Sequence, residues 1–483
     1  MSKKTCKKVD FSECELAILR MAVDKAEKKL GKRMVNSEEV QNMIDIVENF
    51  LKLEKVICYG GTAINNILPE NDKFYNKELE IPDYDFFSFE AIETAKKLAD
   101  LYYTKGFTEV EAKAGQHHGT YKVYVNFIPV ADITQMDKSI FFALQKQAVR
   151  VAGILYAPPN FLRMSMYLEL SRPAGDISRW EKVLKRLTLL NKNYPINTTN
   201  CGSVKVQRKM VAQNKESEIY EETKNSFIDQ GVVFFGGFAI SLYSQYMPKK
   251  PKVNKIADFE IISHDPRMAA EIVVERLQGI GIKNCAILEH AAGDEIVPKH
   301  FEVKVGKDTI AFVYEPIACH SYNTIQIHGK PVKIATIDTM LSFYLAFLYV
   351  NRPYYTHFLD RILCMCKFLF DVQQKNRFEQ KGLLERFSVT CYGHQQSKEE
   401  IRAEKASKFK ELEHSPNKQE KEEWFLNYKP TKNVERMTRK NSNLNKLKNK
   451  NKNSESQSQS QNDTNSKSKS KSKSKKRRWF ISY

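Results

Sequence analysis

VICYGGTAINNILPENDKFYNKELEIPDYDFFS, residues Val56 to Ser88, holds a glycine pair and a carboxylate pair at the ends of two short apolar strands. Val56-Ile57-Cys58-Tyr59 has strand character and runs into Gly60-Gly61, after which Thr62 to Leu68 is helical by pattern. A strand, a glycine turn and a helix N-terminus turn unpaired backbone N–H groups toward an anion. Glycine allows the approach because no Cβ holds phosphate oxygens away. Further on, Asp83-Tyr84-Asp85 leads into Phe86-Phe87. Residues two apart on a strand share a face, so the two carboxylates converge and suit a hard, oxygen-seeking ion such as Mg²⁺. Alone, the glycines read as a turn and the Asp-x-Asp as a solvated strand edge. Together they outline a site for phosphate and a divalent cation.

A third acid is required, and Asp132 supplies it at the end of the apolar stretch Tyr124 to Ile133, some fifty residues downstream. The pattern of glycine pair, Asp-x-Asp and later strand Asp resembles the polymerase-beta-like nucleotidyltransferase superfamily. More narrowly, YGGTAIN, DYDFFS, FIPVADIT and RMSMYLELSRP are similar to poly(A) polymerase catalytic subunits of large cytoplasmic DNA viruses. The resemblance covers Lys55 to Leu190 and, more weakly, the chain to about Gly393. It implies template-independent adenylyl transfer from ATP to an RNA 3′ end. Asp83 and Asp85 would bind two divalent ions, Mg²⁺ or Mn²⁺, Asp132 would complete one of them, and Gly60-Gly61 would hold the triphosphate. The helical part after the third acid commonly brings cations to the triphosphate in such enzymes, which nominates Arg163 and Lys182. A cytoplasmic or virion address follows from the resemblance alone. The same site would also serve a nucleotidyltransferase with another acceptor (protein, tRNA end or nucleotide), and the fold would serve a non-catalytic RNA-binding scaffold or a nucleotide sensor.

The fold class expected is α+β: two tandem polymerase-beta-like units, each a small mixed sheet flanked by helices, the second degenerate, with a disordered basic tail. The duplication is read from the chain itself. After a segment helical by pattern, Gln207 to Phe227, Val232 to Ile240 repeats strand, glycine pair (Gly236-Gly237) and helix, and Asp258-Phe259-Glu260 repeats the Asp-x-Asp. Pro316-Ile317-Ala318-Cys319 aligns with Pro129-Val130-Ala131-Asp132, so Cys319 is expected in place of the third acid. A neutral thiol there would make Asp258 and Glu260 remnants and leave the copy to offer a surface for RNA or for a second copy of the chain, a homodimer. Expected boundaries are 1–54 for N-terminal helices, 55–200 for the catalytic unit, 201–395 for the degenerate unit, 396–435 for a charged helical extension opened by a Ser397-x-x-Glu400 capping box and 436–483 for the tail.

Composition bounds these readings. At 483 residues the chain has room for two or three cores. Its formal charge is +19, but Arg436 to Tyr483 carries 15 Lys/Arg against 2 Asp/Glu, leaving only +6 for the rest. That Lys/Ser/Asn-rich stretch cannot bury enough surface to offset its ordering entropy, and it suits salt-sensitive contact with RNA phosphates or simple solubilisation. Nine scattered cysteines without a C-x-x-C pair read as buried free thiols in a reducing compartment. The charged N-terminus lacks a signal-peptide core, and the apolar run Met340 to Val350 is too short to span a bilayer, so the expectation is a soluble intracellular protein with no membrane partner. Gly115 to Gly119, with His117-His118, reads as an exposed hairpin turn rather than a metal site.

Overall fold

Two helices lead into the first sheet. In the structure, a computed structural model describing residues 10–76, 78–198, 201, 207–208, 210, 215–247, 256–293 and 296–431, these are α1 (Phe11–Val35) and α2 (Glu38–Glu54). Ser37 caps α2, its Oγ accepting the Val40 N–H at 3.3 Å. Val40, Met43, Val47, Phe50 and Leu51 recur at helical spacing and are all buried, each contributing about 1.5–3 kcal/mol. They seal the back of the sheet that follows. The tail expected from Arg436 lies outside the described residues.

The first half then runs β1 (Ile57–Cys58), α3 (Gly60–Ile67), β2 (Tyr84–Ser88), α4 (Ala91–Thr104), β3 (Val110–Ala114), β4 (Thr120–Val125), β5 (Ile128–Gln135), α5 (Lys138–Gln147), β6 (Val149–Val151), β7 (Ile154–Tyr156), α6 (Pro159–Leu170) and α7 (Trp180–Asn193). Its strands lie in the order β3-β4-β5-β2-β1-β7-β6. The sheet is mixed: β2 is parallel to β5, while β1 is antiparallel to β2 and parallel to β7.

The second half has α8 (Glu216–Asp229), β8 (Val233–Phe234), α9 (Gly237–Tyr243), β9 (Phe259–Ile262), α10 (Pro266–Gly279), β10 (Cys285–His290), β11 (His300–Val305), β12 (Asp308–Tyr314), β13 (His320–Ile327), β14 (Lys330–Ala335), α11 (Ile337–Phe347), α12 (Pro353–Thr356) and α13 (Leu359–Lys375). Its strand order, β10-β11-β12-β9-β8-β14-β13, is that of the first half, element for element. The helix expected over Gln207 to Phe227 begins only at Glu216, and Gln207 and Arg208 precede it in irregular backbone.

The halves meet through α6 and α11, and the Ser321 N–H donates to Ser171 O at 2.8 Å. Every residue of α11 is buried, which is the condition for a helix that is apolar all round. The run Met340 to Val350 is therefore core packing, and no described helix is long and apolar enough to cross a membrane. A final segment returns to the first half. After β15 (Cys391–Tyr392) come α14 (Lys398–Leu412), with its Ser397/Glu400 capping box, α15 (Lys418–Phe425) and β16 (Asn427–Tyr428), which pairs with the edge strand β3.

Two expectations are corrected. Cys319 does not stand where Asp132 stands. In the first half Asp85 pairs with Asp132 across β2 and β5; in the second, Glu260 pairs with Phe312 across β9 and β12. The third acid is lost, but to Phe312, and Cys319 lies beyond the end of β12. Nor are the cysteines all free thiols: Cys201 is bonded to Cys364 and Cys319 to Cys391, while Cys58, Cys285 and Cys366 are free. The second bond closes a loop of 72 residues, which by chain entropy stabilises the fold by about 4 kcal/mol. Cys319→Ser and Cys391→Ser should lower the melting temperature equally, and the double variant no further. Additive losses would show that the two sulfurs are not joined.

Candidate functional site

The site is built on the register between two parallel strands. Asp85 and Asp132 are direct partners on β2 and β5, at neighbouring strands about 4.8 Å apart. Asp83 precedes Asp85 by two residues, one position before β2 begins. The glycine turn is stitched to the same strand: the Tyr59 N–H donates to Asp85 O at 2.9 Å and the Thr62 hydroxyl to Asp83 O at 2.6 Å. Gly60 has φ +72°, and a Cβ there would collide with Asp85 Oδ2. Glycine is required on both counts.

Like charge and burial dominate the electrostatics. Burial and then the charges of Asp83 and Asp132 push Asp85 up to about 7, and burial and then Asp132 raise Asp83. Lys122, opposite Asp132 on β4, forms an ion pair with Asp132 Oδ2. Burial alone would lower the Lys122 pKa, but the Asp132 carboxylate outweighs it and raises it. Among the described residues no three His, Cys, Asp or Glu side chains are drawn up around an ion-sized centre. The donor chemistry nevertheless fits a divalent cation: three hard carboxylates, two of them held above their ordinary range by burial and then by neighbouring negative charge that a cation would neutralise.

The cations over the glycine turn are not all those expected. Arg163 is fully buried in α6, and its guanidinium donates to Asn191, Asn160 and the carbonyl of Tyr194. It braces α6 against α7 and is shut away from any triphosphate by its burial, which corrects its nomination. Lys182, the third residue of α7, acts on Asp83 and, with Lys122, offsets part of the rise that burial and Asp132 impose on it. One turn further, Arg186 donates to Tyr75 OH at 2.6 Å and stacks on the Phe74 and Tyr75 rings. A Cβ on Gly61 would lie 2.9 Å from both terminal guanidinium nitrogens of Arg186. Arg186 and Tyr75 therefore bracket the glycine turn. Asn65 holds their loop in place by accepting the N–H groups of Phe74 and Tyr75, both at 2.9 Å. His117 and His118 are exposed on the β3–β4 turn, where His118 packs on Trp424 at 4.4 Å between ring centroids.

The second half shows the same positions filled differently. Arg208 Nη2 lies 2.5 Å from Asp258 Oδ1 and 2.9 Å from Glu260 Oε1, and Arg361 Nη2 lies 2.7 Å from Asp258 Oδ2. Arg361 is the third residue of α13 as Lys182 is of α7. Glu260, one methylene longer than Asp85, accepts the Gly237 N–H at 3.2 Å. Two guanidiniums stand in for cations, and a carboxylate occupies the glycine turn.

Residues 45–176 match the family model described as poly(A) polymerase catalytic subunit. Over 171 residues the chain is 34% identical to a protein of African swine fever virus (isolate Pig/Kenya/KEN-50/1950) provisionally named poly(A) polymerase catalytic subunit, a match covering 34% of this chain and 36% of that protein. A protein of Acanthamoeba polyphaga mimivirus with the same provisional name is 30% identical over 164 residues, covering 33% of this chain and 27% of that protein. The matched segment thus spans about a third of the curated relatives' length. The crystal structure of the Megavirus polyadenylate synthase aligns with a TM-score of 0.72 at 19% identity, over 85% of this chain and 89% of that one. The likeness of fold therefore extends through both halves, and the resemblance to viral poly(A) polymerase catalytic subunits holds on sequence over the segment that carries the three acids.

The raised Asp85 carboxyl has a measurable cost. An unfolded Asp ionises near 3.8 and Asp85 in the fold near 7, so the penalty for its charge is complete above pH 7, shrinks as pH falls through 7 and is gone below 3.8. Asp85→Asn should raise the melting temperature by about 2 °C at pH 8, with a markedly smaller gain at pH 5. A gain independent of pH would contradict the assignment.

Proposed function

We propose that the chain is a polynucleotide adenylyltransferase that adds adenylate from ATP to RNA 3′ ends without a template. The observation that carries this reading is the register of Asp85 against Asp132, beside Asp83 and under the glycine turn, within the segment that matches the family. The 3′-hydroxyl attacks the α-phosphorus, its proton is lost, and the bond to pyrophosphate breaks. Asp83, Asp85 and Asp132 would hold two divalent ions, Mg²⁺ or Mn²⁺, which when bound lower the pKa of the attacking hydroxyl and neutralise the leaving group. The N–H groups at Gly60-Gly61 receive phosphate oxygens, and Arg186, steadied by Tyr75, presents its guanidinium to the same oxygens. Lys182 balances the acids from α7, and Lys122 orients Asp132 through their ion pair.

Transfer to another acceptor uses the same site, and acceptor choice distinguishes the readings. The scaffold reading is disfavoured by the intact acids of the first half. Pairing of two copies through the second half has no support from the comparisons. The proposed address is a cytoplasmic replication site of a large DNA virus, supported by the viral origin of the relatives.

With an RNA primer and each labelled nucleoside triphosphate in turn, a ladder with ATP alone is expected. Asp83→Ala and Asp132→Ala should each cut extension by about 10³-fold, and near-normal tailing by either would sink the site assignment. Arg186→Ala should raise KM for ATP about tenfold, whereas Arg163→Ala should lower the melting temperature and leave KM unchanged. The opposite pattern would restore Arg163 to the site.

A further inference from the structure

A cavity of about 820 Å³ opens against the second half where Arg208, Phe312 and Arg361 meet Lys307, Tyr354 and Phe358. By strand register Phe312 holds the place of Asp132, so this cavity occupies the position over the sheet where the first half works on its substrate. Its volume is that of a small-molecule site. Its chemistry differs from the first half in three respects.

The cation is built in. Arg208, from the irregular segment before α8, stacks on the Phe312 ring with its guanidinium carbon 4.7 Å from the centroid. It binds both remaining acids, and its buried Nε has no hydrogen-bond partner among the described residues. The phosphate turn is closed, because Glu260 already accepts the Gly237 N–H and a Cβ on Gly236 would collide with that carboxylate. A triphosphate therefore has no place there. The mouth, in contrast, offers an aromatic face and a free charge: Phe358 is 40% exposed, and Lys307 is exposed with no ion pair among the described residues. Aromatic faces beside isolated cations are how single strands are held independently of sequence, by base stacking and phosphate contact.

We infer that the second half is a metal-independent binding site for single-stranded RNA, in which a base stacks on Phe358 and its phosphate meets Lys307 at the mouth of the Arg208–Phe312 cavity. The closed glycine turn selects a strand over free nucleotide. This reading does not depend on the first half being catalytic, because it concerns binding without turnover.

The test is fluorescence polarisation of labelled oligo(A) on the full chain in EDTA, which removes divalent ions, and about 0.3 M salt, which weakens contacts made by exposed charge alone, at Lys307 as elsewhere, and leaves base stacking. Binding should persist in EDTA. Phe358→Ala with Lys307→Glu should weaken it about tenfold, and Phe358→Trp, which keeps a ring for the Arg361 guanidinium that lies 5.8 Å from the Phe358 centroid, should retain it. Unlabelled ATP should fail to compete. Loss of binding in EDTA, or equal binding by the double variant, overturns the proposal. Competition by ATP as effective as by unlabelled oligo(A) overturns the choice of a strand and makes the cavity a nucleotide site.

Discussion

Asp85 and Asp132 face each other across two hydrogen-bonded strands, and the fold must hold that repulsion in place. The register of β2 and β5 fixes both backbones side by side. The stitching around them makes sense as restraint: Tyr59 and Thr62 tie the glycine turn to the carbonyls of the acids, and Lys122 takes up the charge of Asp132. Behind the strand, Phe86 and the α2 stripe supply the burial that makes the arrangement rigid. That same burial raises the carboxyls, so the features that build the site also destabilise it.

The two halves are two answers to one electrostatic problem. Converging carboxylates on this sheet need positive charge. The first half leaves room for cations to arrive; the second supplies Arg208 and Arg361 from its own chain. Arginine is permanently charged and cannot lower the pKa of a hydroxyl as a metal does. Asp258 is accordingly held below the usual carboxylate range, against the penalty of its burial and by the two guanidiniums. Glu260 beside it is pushed up to about 7 by burial and then by Asp258, so the internal cations settle one acid and not both, and the site loses the chemistry of a metal.

The glycine pairs, the Asp-x-Asp motifs, the duplication and the Ser397 cap were legible in the sequence because each is local and its spacing carries its geometry. Asp132 was legible because an acid closing an apolar run is a short-range pattern too, although β5 continues past it to Gln135. What failed depended on partners distant in sequence. Cys319 aligned with Asp132 by its Pro-x-Ala-x neighbours, yet the pairing of β9 with β12 places Phe312 there, and pairing is not written in linear similarity. Arg163 and Arg186 are both helical arginines after the third acid. Only packing shows that one is walled in by Asn160, Asn191 and Tyr194 while the other reaches Gly61. Lys122 was within reach, since counting back along the hairpin from Asp132 finds it. Arg208 was hidden inside what read as a helix.

The strand β16 deserves a reading in time as well as space. Asn427, Lys113, Lys122, Asp132 and Asp85 form one continuous row of paired residues across five strands. The outermost member of that row is made some three hundred residues after its neighbour Lys113. On the ribosome, the sheet that carries the acids therefore waits with a bare edge while the entire second half is synthesised and folds. A chain that stops anywhere short of Tyr428 leaves that edge open to pairing with other chains.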